Sequence, residues 1–411
     1  MPAALFPSRQ PGAQPPHSAA QTTRPSTGRV ARLGRRTAAG LAVTVTLAAA
    51  LPSPAHPASH TAPAGPEVTT FTGGAFNGVS AVSAADAWAV GSITPPQGRN
   101  FRTLVAHWDG TRWARVPSPS PGEPDVATLA GVSAVSAADA WAVGFYGTAG
   151  LRTLVLHWDG TRWARVPSPN PGAPASSTAL AGVSAVSASS AWAVGAYGNT
   201  EKTLVLRWNG TRWAQVPSPS PGGAQGTQLL GVTSLPQGGA WAVGCSGSSP
   251  QRTLALQWTG TRWTQAPTPS PGFSACLNAV TAVSPSDVWA VGWAARHHNG
   301  PAQTLLLHWD GTRWTRVASP SPRLASTELT GVSATSAADA WAVGGVVRHQ
   351  VSKTFVLHWD GTCWARVASP SQGASVLNGV SGGSSRDVLA AGSGGAGSLA
   401  LRWTGSRWVI S

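Results

Sequence analysis

The chain has 411 residues, including 48 Gly, 34 Pro and 21 Trp, and only 10% of its residues are charged. Tryptophan buries a large apolar area on folding, so this composition excludes a disordered chain despite its many glycines and prolines. The formal net charge is +14, but six arginines and no acidic residue precede Ala55, which leaves 22 basic and 14 acidic residues after it. This milder positive charge is spread over the repeats described below, and we expect no nucleic-acid partner.

Residues 1–64 are predicted to form an N-terminal extension, a signal peptide and a linker rich in Pro and Ala. A basic stretch, "RVARLGRR", precedes an apolar stretch at 37–51, and small residues at 53–55 and 62–64 have cleavage-site spacing. The apolar stretch is shorter than the roughly 20 residues that span a bilayer. We therefore expect a secreted, extracellular protein without a membrane span, the alternative being a buried apolar helix. Met1 is the single methionine, and Val30 is a candidate alternative initiator.

Residues 65–411 contain seven repeats, which three series of landmarks define. The tetrapeptide "WAVG" begins at Trp88, Trp141, Trp192, Trp241, Trp289 and Trp341, and a degraded copy, "LAAG", begins at Leu389. The Trp of "HWDG" and its variants is Trp108, Trp158, Trp208, Trp258, Trp309, Trp359 and Trp403. A third Trp follows five residues later, at Trp113, Trp163, Trp213, Trp263, Trp314, Trp364 and Trp408. Only Trp293 lies outside these series.

Each repeat contains four short runs that are typical of strands. In the second repeat they are "LAGVSAVS", "DAWAVG", "TLVLHWD" and "TRWARVP", each bounded by Gly, Pro, Asp or Ser. Four antiparallel strands repeated radially form a β-propeller, so we predict an all-β, seven-bladed β-propeller of four-stranded antiparallel blades. A stacked solenoid is the alternative, but its repeats usually carry fewer strands.

The residue sizes within a repeat match the taper of a propeller blade. The first run is built from small residues, as expected near a central axis, and the later runs carry Trp and Arg. The "DG" between the third and fourth runs predicts a two-residue hairpin, in which Trp158 faces Thr161 and Leu156 faces Trp163. Each His of "HWDG" would then face the Arg of "TRW". The tryptophans are predicted to pack between blades, and the "PSPSPG" tail is predicted to protect the blade edge.

The segment "AWAVGG" followed by "TFVLHWDGTCWARV" resembles the kelch repeat, and it also resembles propeller repeats of secreted proteins from high-GC bacteria. The resemblance covers all seven repeats. Only Gly344-Gly345 supplies the glycine doublet of the kelch pattern, and Trp replaces its usual Tyr. The resemblance implies a propeller fold, but kelch-like propellers range from binding domains to oxidases, so it implies no single activity.

Most of the Asp, Glu and His side chains that could act in catalysis or metal binding have a structural explanation. Most aspartates lie in predicted turns, where Asp bonds its own backbone. The remaining acids are Glu67, Glu123, Asp125, Glu201 and Glu328, which show no pairing of the kind a glycosidase needs. His107, His157, His308 and His358 occupy a position that is Arg or Gln in other repeats, which argues against a metal site. We name no catalytic residue and expect no metal and no cofactor.

Two sets of residues carry specific predictions. Cys245 and Cys276 fall at the same end of adjacent blades and are predicted to form a disulfide, which leaves Cys363 as a free thiol. The loops after "WAVG" are the most variable segments and are predicted to share one end with the blade-to-blade crossovers. The candidate ligand-binding residues at this end are Tyr146, Tyr197, Trp293, Arg296, His297, His298, Arg348 and His349.

These observations predict a secreted, non-catalytic binding module, in which aromatic rings stack on sugars and Arg and His donate hydrogen bonds. The expected partner is a glycan, a cell-wall polymer or a surface protein, and the protein is expected to be a monomer. The alternative is an extracellular enzyme, a hydrolase, lyase or oxidase, that uses the same loops. Clustered carboxylates or a metal at this face would favour the enzyme.

Overall fold

The structure is a computed structural model that describes residues 69–411 except 97–99, 122–125, 149, 174 and 396. The predicted signal peptide and linker at 1–64 lie outside the described residues. The innermost strands of the seven sheets are β1 (Gly74–Ser83), β5 (Ala127–Ser136), β9 (Thr178–Ser187), β13 (Thr227–Ser234), β17 (Ser274–Ser284), β21 (Ser326–Ser336) and β25 (Val376–Ser384). The second strands are β2 (Asp86–Ile93), β6 (Asp139–Tyr146), β10 (Ser190–Tyr197), β14 (Ala240–Ser246), β18 (Asp287–Ala295), β22 (Asp339–Arg348) and β26 (Asp387–Gly394).

The third strands are β3 (Arg102–Trp108), β7 (Arg152–Trp158), β11 (Lys202–Trp208), β15 (Arg252–Trp258), β19 (Ala302–Trp309), β23 (Val351–Trp359) and β27 (Gly397–Trp403). The outermost strands are β4 (Trp113–Arg115), β8 (Trp163–Arg165), β12 (Trp213–Gln215), β16 (Trp263–Ala266), β20 (Trp314–Val317), β24 (Trp364–Val367) and β28 (Trp408–Ile410). One short 3₁₀ helix, Gly223–Gln225, precedes β13.

Each group of four consecutive strands forms one antiparallel sheet, so blade 1 is β1–β4 and blade 7 is β25–β28. Each innermost strand contacts the innermost strands of the two adjacent blades, and β25 contacts β1, which closes the ring. The predicted seven-bladed, all-β propeller is therefore confirmed. Small residues line the axis because the strands approach closely: a Cβ on Gly131 would stand 3.2 Å from the carbonyl oxygen of Ala181 in the next blade.

The glycine of "WAVG" is required by a bulge in the innermost strand. In blade 2 the register between β5 and β6 shifts between Leu129 and Gly131. This shift brings the carbonyl oxygen of Thr128 so close to Gly144 that a Cβ on Gly144 would collide with it. Equivalent glycines stand at this position in the other blades. The tetrapeptide thus encodes the bend of each blade as well as its buried face.

The repeated tryptophans pack between blades, as predicted. The indole of Trp141 in blade 2 lies 4.8 Å from that of Trp208 and 5.2 Å from that of Trp213, both in blade 3, measured between ring centroids. The same triad forms at the next four interfaces and at the first one. At the interface between blades 7 and 1, Leu389 takes the place of the first Trp, and Phe76 packs against Trp113 at 6.0 Å.

The predicted two-residue hairpin is wrong, because the register places Trp158 opposite Trp163 and Leu156 opposite Arg165. The turn spans 159–162, with Gly160 at a φ of 91°. Asp159 Oδ1 accepts bonds from the backbone of Thr161 and Arg162 at 2.9 Å, and from the Thr161 hydroxyl at 2.6 Å. The aspartate side chain thus takes the place of a backbone acceptor, which sequence periodicity alone does not reveal.

The Pro-Ser tail is held against the start of the third strand. In blade 2 the hydroxyl of Thr153 lies 2.8 Å from that of Ser168, and the Thr153 backbone donates to Asn170 Oδ1 at 2.7 Å. The same arrangement occurs in blades 1 and 3–6, where it is centred on Thr103, Thr203, Thr253, Thr304 and Thr354. The tail therefore has a structural role at the blade edge, where its prolines remove free donors.

Ring closure needs no exchange of strands between the first and last blades. Thr72, which precedes β1, pairs with Gly397 in blade 7 through an isolated bridge. The Phe71 backbone accepts from Ser398 N at 3.2 Å and donates to its hydroxyl at 2.9 Å. At the chain end, Trp113 Nε1 donates to the Ser411 hydroxyl at 3.2 Å. These contacts join the two blades and supplement the smaller apolar interface described above.

Candidate functional site

The two ends of the propeller differ in what they carry. We call "turn end" the end with the first-to-second and third-to-fourth strand turns, such as 159–162. We call "loop end" the end with the second-to-third strand loops and the crossovers between blades. The predicted proximity of these loops and crossovers is present: Ala127 N donates to the carbonyl of Phe101, and Gly147 N donates to that of Val126, both at 2.9 Å.

Tyr146 and Tyr197 lie at the loop end on the second strands of blades 2 and 3, and both rings are half-buried against the interblade cores. The Tyr146 hydroxyl accepts a bond from Arg165 at 2.6 Å, and the Arg165 guanidinium lies 4.6 Å from the Tyr146 ring centroid. The Tyr197 ring lies beside Gly172 in the preceding crossover. Each tyrosine is therefore only partly accessible to a ligand.

Trp293 lies near the loop end of β18 and is half-buried, opposite Cys276 on β17 and Thr304 on β19. It makes none of the ring contacts that join the other tryptophans between blades. The common blade packing therefore does not account for Trp293, and one part of its side chain is open to solvent. It remains a candidate contact for a ligand.

The basic candidates occupy two neighbouring loops. Arg296, His297 and His298 follow β18 in blade 5 and are exposed, and the His298 ring packs edge-on against Phe273 at 5.3 Å. Arg348 ends β22 in blade 6, and His349 begins the two-residue loop that follows. The structure therefore brings these residues to the same end of two adjacent blades, and it places Tyr146 and Tyr197 in two other blades of that end.

The structure joins Cys245 on β14 to Cys276 on β17 by a disulfide with a Cα–Cα distance of 5.0 Å. This is the pairing expected from the sequence, and it links blades 4 and 5. Cys363 is an exposed free cysteine in a turn at the opposite end, where its thiol lies 3.8 Å from Asp360 Oδ2. The disulfide thus fixes the loop end next to Trp293, since Trp293 pairs with Cys276.

The described acidic residues of the loop end are Glu201 and Glu328. Glu328 lies on the innermost strand of blade 6 and accepts a bond from Asn278 Nδ2 of blade 5 at 2.9 Å. Burial raises the pKa of Glu328, and burial likewise raises the pKa of Glu201 in blade 3. These two carboxyls stand three blades apart, so within the described residues this end holds no adjacent carboxylate pair of the kind used in glycoside hydrolysis.

The "HWDG" histidines were predicted to face the Arg of the turn, and this interpretation is wrong. His157 pairs with Ala164 in the ladder, its Nε2 lies 2.8 Å from Asp139 Oδ1, and its ring lies 4.2 Å from that of Trp141. His107, His308 and His358 make the equivalent contact with Asp86, Asp287 and Asp339. These pairs join the two turns of one blade, and their function is structural. In the described part of the chain, no group of three His, Cys, Asp or Glu residues is arranged to hold a metal ion.

A cavity of about 410 Å³ at the loop end of blade 1 was not predicted from the sequence. Its lining residues are Arg102, Thr103, Arg115, Pro117, Ser118 and Ser120. Ile93 stands in blade 1 where Tyr146 stands in blade 2, because each pairs with the first residue of the third strand. In blade 2 the Tyr146 ring lies against Arg165, which takes the place of Arg115 in the lining of this cavity. Aligning the repeats by their "WAVG" glycine would have revealed this exchange.

No family model and no curated protein matches the chain. Solved structures share its fold. An ulvan lyase, a polysaccharide lyase bound to GlcA(1-4)Rha3S, is similar with a TM-score of 0.51 at 10% identity, over 83% of this chain and 96% of that one. YCF48 from Cyanidioschyzon merolae gives a TM-score of 0.50 at 16% identity, over 82% and 97%. U3-55K gives 0.53 at 10% identity, over 80% and 91%. These likenesses support the propeller fold alone. Among the described residues no helix is long and apolar enough to span a membrane.

Proposed function

We propose that the protein is an exported, non-catalytic binding module of kelch-like repeat type whose loop end holds a glycan, a cell-wall polymer or a surface protein. The basic stretch "RVARLGRR", the apolar segment at 37–51 and the small residues that follow motivate the exported location. Propellers serve both as binding modules and as enzymes, so the argument depends on the loops and not on the fold.

The observation that carries this proposal is the backbone of the loop end. Four non-glycine residues of the described chain have a positive φ, namely Glu201 at 45°, Asn299 at 60°, His349 at 47° and Gln350 at 65°. All four lie in second-to-third strand loops. This conformation is unfavourable for residues other than glycine, and such residues persist at functional positions when their side chains are needed there.

His349 and Gln350 give the clearest case. They form the two-residue loop between β22 and β23, with Arg348 paired to Val351. A two-residue hairpin with positive φ at both positions strongly favours Asn-Gly or Gly-Gly. Here the chain carries an imidazole and an amide, two groups that donate and accept hydrogen bonds. A binding role for these side chains explains why they occupy strained positions.

The test is a binding screen of the secreted protein against neutral glycans, charged glycans and cell-wall polymers, followed by two variants. Trp293→Ala combined with His297→Ala should weaken binding about tenfold or more, because stacking and donor contacts together contribute more than 1.4 kcal/mol. Asp159→Asn, at the turn end, is the control and should bind like the wild type. If Asp159→Asn lost binding while the loop variant kept it, the site would lie at the turn end and the proposal would be wrong.

The same protein and the polymers that it binds also test the enzyme alternative. Incubating each bound polymer with the protein and measuring new reducing ends or unsaturated products detects a hydrolase or a lyase. Oxygen consumption with the bound polymer detects an oxidase. A binding module should give binding without turnover, and turnover that Glu328→Gln abolishes would replace the proposal with an enzyme.

A further inference from the structure

Charge is distributed unequally between the two ends of the propeller. At the turn end the described residues include nine acidic and nine basic side chains. The acidic ones are Asp86, Asp109, Asp139, Asp159, Asp287, Asp310, Asp339, Asp360 and Asp387, and the basic ones are Arg112, Arg162, Arg207, Arg212, Arg262, Arg313, Arg386, Arg402 and Arg407. The formal charge of the turn end is therefore balanced.

The loop end has eight basic and two acidic side chains among the described residues. The basic ones are Arg102, Arg152, Lys202, Arg252, Arg296, Arg323, Arg348 and Lys353, and the acidic ones are Glu201 and Glu328. Four further arginines, Arg115, Arg165, Arg316 and Arg366, lie on the outermost strands between the two ends.

The two described acids at the loop end offset two of its eight positive charges. Glu328 is largely enclosed between blades 6 and 7, and Glu201 is half-buried, and burial raises the pKa of both carboxyls. A carboxyl that is buried presents less negative charge to an approaching ligand than an exposed one. The basic residues are spread over the blades along the sequence, but the net charge differs between the two ends of the propeller.

Three of the loop-end arginines are exposed on neighbouring segments of blades 5 and 6. Arg296 lies in the loop after β18, Arg323 in the crossover between these blades, and Arg348 at the end of β22. None of them forms an ion pair with a described residue. By contrast, Arg162 and Arg313 at the turn end each lie 3.8 Å from an aspartate oxygen. The guanidinium groups of these three arginines are therefore available to an external anion.

We infer that the loop end binds an acidic polysaccharide, whose carboxylate or sulfate groups pair with this basic surface. The inference rests on the proposed function and deepens it by naming the ligand class. Arginine recognises such groups with two parallel hydrogen bonds, and charges distributed over blades 1–6 suit an extended polymer better than a small anion. Sequence-tolerant nucleic-acid binding stacks successive bases on a series of aromatic side chains along one groove, whereas the candidate aromatics Tyr146, Tyr197 and Trp293 lie singly in blades 2, 3 and 5.

The probe is polygalacturonate, with its fully methyl-esterified form as the neutral polymer of the same backbone, and single-stranded DNA as the competing polyanion. Affinity is measured by isothermal titration calorimetry on the full secreted chain at about 50 and 200 mM NaCl, a range over which polyanion binding weakens steeply. We expect binding to polygalacturonate that weakens with salt, and at least about tenfold weaker binding to the ester and to DNA.

Two variants remove the same number of exposed charges from opposite ends. The Arg296→Ala, Arg323→Ala, Arg348→Ala variant should bind polygalacturonate about tenfold more weakly, since each exposed charge pair contributes a fraction of this effect. The Arg212→Ala, Arg262→Ala, Arg407→Ala variant has the same net charge and should bind within about twofold of the wild type. Circular dichroism and thermal unfolding show whether each variant is folded.

The outcomes separate this inference from the proposed function. Equal losses in both variants would show attraction to net charge alone and would overturn the inference. Equal binding of polygalacturonate and its ester, or tighter binding of DNA, would also overturn the acidic-polysaccharide assignment, and binding of the ester would leave the proposed glycan module standing. Failure to bind any glycan, cell-wall polymer or surface protein in the screen would overturn both.

Discussion

At the turn end, every described residue with a positive φ is a glycine, whereas four such residues at the loop end carry side chains. The third-to-fourth strand turn has the same structure in every blade, with Gly160 and its equivalents at a positive φ. In five of the seven blades, the Asp or Asn before this glycine accepts hydrogen bonds from the turn backbone. The loop end varies in length and in sequence from blade to blade. The comparison teaches that the repeat keeps one backbone solution at the turn end, whereas backbone and side chains vary from blade to blade at the loop end.

The largest expected effect contrasts a tryptophan of the interblade triads with Trp293, the one tryptophan outside the repeated series. Trp141→Ala removes a side chain that is 1% exposed and should lower the free energy of unfolding by about 3–5 kcal/mol. Trp293→Ala removes a half-buried side chain and should cost less than half as much. Chemical denaturation followed by intrinsic fluorescence measures both. Equal costs would mean that Trp293 serves packing, and the distinction between scaffold and displayed residues would fail there.

The second test concerns the disulfide, which cross-links blades 4 and 5 at the loop end and has no counterpart among the described residues of the turn end. It closes a segment with a sequence separation of 31, so the Cys245→Ser, Cys276→Ser variant should lose about 2–4 kcal/mol of stability. Cys363→Ser leaves the disulfide intact and is the matched control, expected to unfold like the wild type. A wild-type protein whose stability did not change with added reductant would contradict the expectation.

The smallest effect concerns the turn aspartates and pH. Hydrogen bonds from the following threonine side chain and from the turn backbone lower the pKa of Asp109, Asp159 and Asp310 to about 2. Because the folded-state pKa lies below the ordinary value of about 3.8, their stabilising contribution is present above that value and is lost as pH falls towards 2. Changing all three to Asn should remove this part of the acid sensitivity.

Blade 3 supplies the reason to expect a folded variant, since Asn209 makes the same three bonds at 2.9–3.0 Å. Near neutral pH the Asn variant should therefore match the wild type, and changing the same positions to Ala should lower the melting temperature at every pH. Thermal unfolding between about pH 2 and 6 distinguishes the three proteins over the range in which the aspartates titrate. An Asn variant with unchanged acid sensitivity would show that other groups control it.

The fold was predictable because its signals are local and repeated seven times. The strand runs, the "WAVG" glycine and the Trp series each follow from short sequence patterns, and the sizes of Val79 and Trp163 already indicate which strand lies near the axis. The turn register was not predictable, because Asp159 replaces a backbone acceptor with its side chain. The pairing of His157 with Asp139 was missed for a similar reason, since the two residues are 18 positions apart in the sequence and the second and third strands lie between them.

For the candidate site, sequence variation identified the loops but not how their side chains are held. That Arg165 packs over Tyr146, or that Arg102 and Arg115 line one cavity, depends on contacts between strands that no local pattern encodes. The positive φ of His349 and Gln350 likewise follows from a register that closes the hairpin after Arg348. These features required the three-dimensional arrangement.

By itself the sequence determined the number of blades, the order of strands and the residues that pack between blades, because hydrophobic alternation and turn residues act over a few neighbours. Only the tertiary structure decided which charges gather at which end. Every strand runs opposite to the one before it, so residues close in sequence, such as Arg112 and Arg102, are carried to opposite ends, and residues of distant repeats, such as Arg296 and Arg348, are brought to the same one. Charge that is even along the chain thus becomes uneven over the surface.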